Sequence, residues 1–357
     1  MEVKRKYHRN LIFCNSPLKK KYRCKDIFQI SPIPKEMELD YENPTHFPIL
    51  LEYWIDLSEV KDITLEALED ICDLISESTL QNNWLNKIVR LLTAFTNHYF
   101  FIYGTEQAWF MPLDLKISKE DYNKISSSWG MKFYHKYGIK NYLLIDKLTD
   151  VNLENIEEKA HNEYFQRPDI DNRKAEITIS KYTNAMFEAF FLLNEMERKY
   201  FDSAVTLIYN GLQIKDKMRS LAFLSFISSI ETMTSLEFKD KQEEIKLKCN
   251  SCNTIENSPY SCVKCGSPIW GISQQFKLYL KEYLTSDPKA NSVINKLYGI
   301  RSKIVHSGQL LLGDSFMDWE KNKQQNEEYE SLISIIQYSK ISLVNWLLRT
   351  GIKKSSQ

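Results

Sequence analysis

Two cysteine pairs, Cys249-Asn-Ser-Cys252 and Cys262-Val-Lys-Cys265, stand nine residues apart in this 357-residue chain and constrain its fold more than any other feature. Each C-x2-C pair brings two thiolates onto one tight turn, and two such turns supply the tetrahedral ligand set of a closed zinc site. Gly266, directly after the second pair, permits the backbone twist on which such a turn ends. The segment from Asn253 to Ser261 is polar, contains Pro259 and reads as a loop. It is shorter than the roughly 15 to 20 residues of the common ribbon spacing. A rubredoxin-like iron centre would use the same ligands, but no redox partner site accompanies it. Four thiolates leave a metal no open position, so the expected cofactor is a structural Zn2+. Its binding, of order 10 kcal/mol, would order a loop too poor in apolar residues to order itself. Cys14, Cys24 and Cys72 lack ligand spacing and read as ordinary thiols.

An odd total of seven cysteines at uneven spacing is no secreted disulfide framework, so a reducing, cytoplasmic setting is expected. The basic, polar N-terminus lacks the apolar core of a signal peptide, and the apolar run from Leu221 to Ile230 is too short to cross a bilayer. No membrane partner is expected. Hydrophobic residues at 43% and charged residues at 26% describe a globular chain with a core to bury. Only 10 glycines argue against glycine-rich phosphate loops and glycine-punctuated β-repeats, and for a helical bias.

At about 150 residues per domain the length predicts two domains. Prolines 17, 32, 34, 44 and 48 favour loops and short extended pieces over the first 60 residues, with a strand within His46 to Leu57. Two helical patterns follow, Leu65-Leu68-Ile71-Cys72-Ile75 and Trp84-Ile88-Leu91-Leu92-Phe95. The aromatic runs His98 to Tyr103 and Ala108 to Pro112 bracket Gly104-Thr105-Glu106 as a β-hairpin would, and Tyr142 to Ile145 reads as another strand. This makes residues 1–170 an α+β domain. The polar stretch from Gln166 to Glu176 reads as the connection, and residues 171–357 as an all-α domain, with helices near 181–198, 197–213, 216–236, 272–285, 288–307 and 327–349 and a zinc-knuckle insertion at about 246–270. The helix at 216–236 is apolar on almost every face, which makes it the central helix of a bundle. Glu231 is the exception within it, and a buried carboxylate needs a partner.

Asp287-Pro288 marks a helix start and Gly308 a stop. Between them Val293, Leu297, Ile300 and Ile304 form one apolar row, and Ile294, Tyr298, Arg301 and Val305 the adjacent one. Arg301 at the edge of a buried face must meet a carboxylate, a phosphate or solvent. Gly299 costs about 1 kcal/mol in mid-helix, and the return expected is close approach by another backbone, within the bundle or across a dimer. His306 follows Arg301 by five residues, about 7.5 Å of rise and about 140° of rotation, which is awkward within one straight helix. A site shared between two copies removes the difficulty. The plain alternative is that His306 complements the helix C-terminus and Arg301 pairs with Glu231.

The run Leu297-Tyr-Gly-Ile-Arg301-Ser-Lys-Ile-Val-His306-Ser-Gly308 resembles the signature of the HEPN superfamily, R-x4-6-H at the end of a helical bundle, and specifically its ApeA-like branch. Upstream, Phe223-Leu-Ser-Phe-Ile-Ser-Ser-Ile-Glu231 is similar to the apolar second helix of that bundle with its embedded glutamate. The resemblance covers roughly residues 195–350, and a cysteine-pair insertion between helices is compatible with the branch. It implies a HEPN-type bundle and a metal-independent endoribonuclease, with a homodimer formed through the motif helices. It further implies a defence or toxin effector with a sensor domain at the N-terminus. Arg301 would stabilise the charged transition state and His306 would act as general acid or base, the imidazole titrating near neutrality and the guanidinium forking onto phosphate oxygens. Ser302, where the family often has Asn, Asp or His, is expected on the His306 face, and Glu231 is a supporting residue. The alternative is a catalytically inactive RNA- or protein-binding module.

Zero net charge, 47 Lys+Arg against 47 Asp+Glu, does not exclude nucleic acid, because the charges are segregated. Six basic residues face two acids between Phe276 and Lys303, among them the candidate RNA contacts Lys296 and Lys303, while Asp314 to Glu330 holds six acids against two lysines. The first 25 residues carry nine Lys/Arg against one Glu, a run that reads first as solvated surface.

Overall fold

The structure, a computed structural model, describes residues 4–34, 40–41, 46–59, 69–102, 133–134, 145–166, 175–239, 247–249, 251–256, 262, 264–266, 272–285, 287–314 and 322–355. The chain divides into two compact units, Met1–Asn184 and Ala185–Gln357. Most of the stretch expected to connect domains, 167–174, lies outside the described residues. Ile177 and Ile179, just beyond it, belong to the first unit.

The first unit contains β1 (Arg5–Cys14), β2 (Tyr22–Cys24), β3 (Phe28–Pro32), β4 (Asp40–Tyr41), β5 (Phe47–Asp56), α1 (Glu69–Phe95), β6 (Phe100–Phe101), β7 (Phe133–Tyr134), β8 (Glu158–Lys159), α2 (His161–Gln166) and β9 (Ile179–Ser180). A five-stranded sheet runs β2-β3-β5-β1-β6, every pair antiparallel. Its spine is the full pairing of β1 with β5, from Arg5 opposite Asp56 to Cys14 opposite Phe47. Leu11, Ile12, Phe13 and Cys14 are buried in succession, so both faces are covered at this end and no alternation shows in the sequence.

Three expectations change here. The proline-rich N-terminus builds a ten-residue strand, β1, beyond the expected loops and short pieces, while the strand expected within His46 to Leu57 is β5, with Pro48 at its second position. The part of the first helical pattern from Ile71 on and the whole of the second form one helix, α1, because nothing between Ser76 and Asn83 breaks it, while Leu65 and Leu68 lie outside the described residues; α1 packs on β5 and β6 and buries Leu85, Ile88, Leu92 and Phe95. Phe100–Phe101 is a strand, but its described partner is β1, and the hairpin residues from 103 to 112 lie outside the described residues, as do Tyr142 to Leu144.

A buried polar cluster crosses the middle of this sheet. Glu52, 1% exposed, lies opposite Arg9 on one side and Gln29 on the other. Its carboxylate accepts from Arg9 Nε at 2.7 Å, Gln29 Nε2 at 2.5 Å, and the amide and hydroxyl of Thr149 at 2.8 and 2.7 Å. Other members of the basic N-terminal run are also paired: Arg5 and Arg23 with Asp26, Lys6 with Glu77, Lys20 with Glu154. Five of the nine basic residues in this run are thus ion-paired among the described residues.

The second unit is helical: α3 (Thr183–Phe191), which begins at the division, α4 (Glu195–Ile214), α5 (Arg219–Glu237), α6 (Ile272–Tyr283), α7 (Pro288–Ser307) and α8 (Asn322–Ser355), with β10 (Leu247–Lys248) and β11 (Ile255–Glu256) between α5 and α6. As its all-round apolarity requires, α5 packs against α4, α6, α7 and α8, burying Phe223, Phe226, Ile227, Ile230 and Met233. Gly211 lets α4 approach, since a Cβ there would stand 2.7 Å from the Phe226 ring. Asn194 and Glu197 form a reciprocal capping box at the start of α4.

The N-terminus of α5 has no cap of its own, because Met218 offers no side-chain acceptor. Asp314 fills the role from the loop after α7, accepting the amides of Arg219 and Ser220 at 2.6 and 2.7 Å. Ser220 Oγ in turn accepts the Leu311 amide at 2.8 Å. A carboxylate at a helix N-terminus satisfies orphan donors and complements the dipole.

Candidate functional site

The four expected metal ligands come together. The first pair sits on the hairpin β10–β11, with Asn253 N–H bonded to the Cys249 carbonyl and Cys249 N–H to the Thr254 carbonyl, each at 2.8 Å. In the second, Gly266 N–H bonds the Cys262 carbonyl at 2.7 Å. The residues after the two pairs, Asn253 and Gly266, both take positive φ, 61° and 68°, so the turns are alike and the expected role of Gly266 holds. The segment read as a loop thus includes a strand.

All four sulfur atoms lie within 4.8 Å of one another, Cys249 to Cys265 at 3.6 Å and Cys252 to Cys262 at 3.4 Å. Bonds of about 2.3 Å to a tetrahedral ion imply sulfur–sulfur edges of about 3.8 Å, which this set fits with small adjustments. The Thr254 hydroxyl, 3.2 Å from Cys252 Sγ, and the Thr254 backbone push the Cys252 thiol down to about 6. Cys14 and Cys24 are buried in the sheet, and the side chain of Cys72 lies outside those described.

The second constellation is built on α7, which runs from Pro288 to Ser307 as its end signals predict. Gly308 takes φ +64° and the Gln309 amide bonds back to the Lys303 carbonyl at 3.3 Å, a left-handed stop. Ile294, Leu297 and Ile304 face the core, whereas Val305 is 48% exposed, so the apolar rows are narrower than expected. Arg301 sits at their edge, with its Nε 3.4 Å from Glu231 Oε1 on α5 and both side chains largely buried. Its guanidinium lies 5.6 Å from the centre of the Tyr298 ring, which itself packs on Phe276.

Arg301 Nη1 is 3.5 Å from His306 Nε2 in the same chain. The awkward geometry expected from helix rotation is therefore overcome, and not by unwinding, since α7 stays helical past His306. The long arginine stem bridges the rotation. Burial raises the Glu231 carboxyl above its ordinary value, and the Arg301 guanidinium and Tyr298 hydroxyl only partly oppose it. Among the described residues Glu231 Oε1 has no hydrogen-bond partner, so the ion pair is a contact of charges with poor bond geometry.

Ser302 is half-buried and makes no hydrogen bond to His306 among the described residues. Lys296, Lys303 and His306 are all exposed. Among the described residues no backbone approaches Gly299: a Cβ there would meet nothing within 4 Å, which counts against the expected close packing within the bundle. The Tyr298 contact was missed, although its place in the Arg301 row could have signalled it. His98, buried in the first unit, has Nδ1 on Ser16 Oγ at 3.0 Å and Nε2 accepting the Thr178 amide at 3.3 Å, so both nitrogens are engaged in structure.

No helix among the described residues is long and apolar enough to cross a membrane. Comparison with protein-family models, curated proteins and solved structures finds no match for this chain.

Proposed function

We propose that the chain is a metal-independent RNA endonuclease of HEPN type, acting at the Arg301–His306 pair as a defence or toxin effector in the cytoplasm. The observation that carries the reading is the approach of the Arg301 guanidinium to within 3.5 Å of the His306 imidazole on an exposed helix end, with Glu231 behind the arginine. In the reaction a ribose 2′-oxygen attacks the adjacent phosphorus, the P–O5′ bond breaks, and the proton lost from the 2′-hydroxyl is matched by one gained at the leaving oxygen. One imidazole removes the first proton and another delivers the second, which is why two copies suit the chemistry. Arg301, always charged, neutralises the phosphorane-like transition state. The products are a 2′,3′-cyclic phosphate and a 5′-hydroxyl. Val305, 48% exposed, and Leu310, 58% exposed, flank His306 in the chain and supply apolar area for a second copy.

In this reading the bundle is of HEPN type, the four thiolates hold one structural Zn2+, and the N-terminal unit receives the activating trigger. Ser302 is left without a role. The Glu231–Arg301 ion pair favours a second reading, a catalytically silent RNA- or protein-binding module, because it gives the arginine a structural reason to exist. Cleavage of total cellular RNA by wild type, Arg301→Ala and His306→Ala proteins in EDTA, with the fold checked first, separates the two. Cleavage lost in both variants supports the ribonuclease; cleavage kept in both moves the active site elsewhere; none by wild type leaves the binding module.

A further inference from the structure

The exposed side of α7 carries a feature that neither the core nor the Arg301–His306 pair uses. Ser292, Lys296, Gly299, Lys303 and His306 follow at spacings of four, three, four and three, and at about 100° per residue they fall within about 80° of arc. All five are exposed. From Pro288 to Ser307 the helix contains Lys289, Lys296, Arg301 and Lys303 and not one acid. Complementing the helix dipole explains a cation near the C-terminal end, such as Lys303, but not Lys296 in mid-helix or Lys289 in the first turn, where a cation is unfavourable. Among the described residues neither Lys296 nor Lys303 makes an ion pair.

Gly299 sits at the centre of this ridge. A Cβ there would meet nothing within 4 Å among the described residues, so the glycine serves no close packing with them and weakens the helix. What it offers is a notch where something outside the chain reaches the helix backbone between two lysines.

We propose that this ridge is the path of the RNA sugar–phosphate backbone, with phosphates at Lys296 and Lys303, the strand seated in the Gly299 notch, and the scissile phosphate delivered to His306 at the end of the same stripe. This rests on the ribonuclease reading and adds to it the route and polarity-independent, phosphate-directed character of substrate binding. A second copy fits the notch poorly. An antiparallel two-fold contact at Gly299 sets Lys303 against the partner helix at the level of Lys296, a parallel one sets each lysine against its own image, and α7 has no acid to relieve either. The partner copy is left the Val305 flank.

The test measures binding of a short 2′-O-methyl oligouridine, which cannot be cleaved by 2′-attack, as a function of salt. Single-strand binding loses about 0.7 from the slope of log affinity against log salt for each phosphate contact removed. Lys296→Gln and Lys303→Gln should each lower the slope by that amount, and the double variant by both. Gly299→Leu, with open space and a better helix former, should keep the helical circular dichroism and weaken binding. Unchanged slopes in the double variant, or no binding by wild type, overturn the proposal. So does a Gly299→Leu protein that loses its dimer while binding RNA as before. A wild type that binds through the ridge yet cleaves no RNA removes the ribonuclease and keeps the ridge; one that cleaves with lysine-independent binding does the reverse.

Discussion

Arg301 is held between two partners of opposite kind, with Glu231 Oε1 3.4 Å from its Nε and His306 Nε2 3.5 Å from its Nη1. One side of the guanidinium faces the core and the other faces the exposed imidazole. Substitutions at the two motif residues therefore differ in kind. His306→Ala should leave stability within about 0.5 kcal/mol of wild type, as exposed positions do. Arg301→Ala should cost about 1–3 kcal/mol by leaving a largely buried carboxylate unpaired. Denaturant midpoints check this, and equal losses in both variants would contradict the arrangement.

The same carboxylate sets a pH dependence. Burial lifts Glu231 above 4.5, so the folded chain keeps this proton longer than the unfolded chain does. Its contribution to stability is full below pH 4.5 and is lost as pH rises through the folded value. Glu231→Gln has no such proton to lose, so its stability relative to wild type should improve from acid to neutral pH. Urea denaturation across that range would show the opposite trend if Arg301 dominated the carboxyl.

The metal should be countable. Purified protein should contain one zinc per chain, and Cys249→Ser or Cys262→Ser should abolish it, since both are buried members of the four-thiol cluster. Chelation should then melt the β10–β11 hairpin, because ion binding of order 10 kcal/mol would far exceed what so short a hairpin gains alone. Retained amide protection at Leu247 and Ile255 after metal removal would show that the hairpin stands without an ion.

In the sheet, Glu52 is the shared acceptor for Arg9, Gln29 and Thr149. Arg9→Ala should destabilise the first unit by about 3–5 kcal/mol, as breaking a buried pair does. Glu52→Ala should cost at least as much, because it strands several donors rather than one charge. A thermal scan giving Glu52→Ala the smaller loss would locate the stabilisation in Arg9 packing instead.

Asp314→Ala should cost about 1–2 kcal/mol by removing the acceptor for the Arg219 and Ser220 amides. Asp314→Asn should recover part of the loss, since the amide oxygen still caps but carries no charge. Hydrogen exchange at those two amides reads the effect directly.

The legible parts of the sequence are those fixed by local rules. Two C-x2-C pairs put thiols on tight turns, so the clustering of Cys249, Cys252, Cys262 and Cys265 was legible, as were the ends of α7 through Pro288 and Gly308. The central position of α5 followed from apolar residues on every face. Hidden features depend on partners far along the chain. Glu52 meets Arg9 across 43 residues, and strand register is not written in either strand alone. The Arg301–His306 approach was hidden for another reason: helix arithmetic places Cα atoms, while a long flexible stem places the guanidinium.

The Asp314 cap has a consequence for the order in which the chain becomes structured. Helix α5, the hub of its unit, receives its N-terminal acceptor from a residue 94 and 95 positions downstream. A nascent chain that has emerged only as far as the cysteine pairs holds α5 with its first amides unsatisfied, and completing the hub waits for the segment that follows the motif helix. Contacts of such separation slow folding. A product truncated before Asp314 would lack this cap, so capping of the hub follows synthesis of the Arg301–His306 helix.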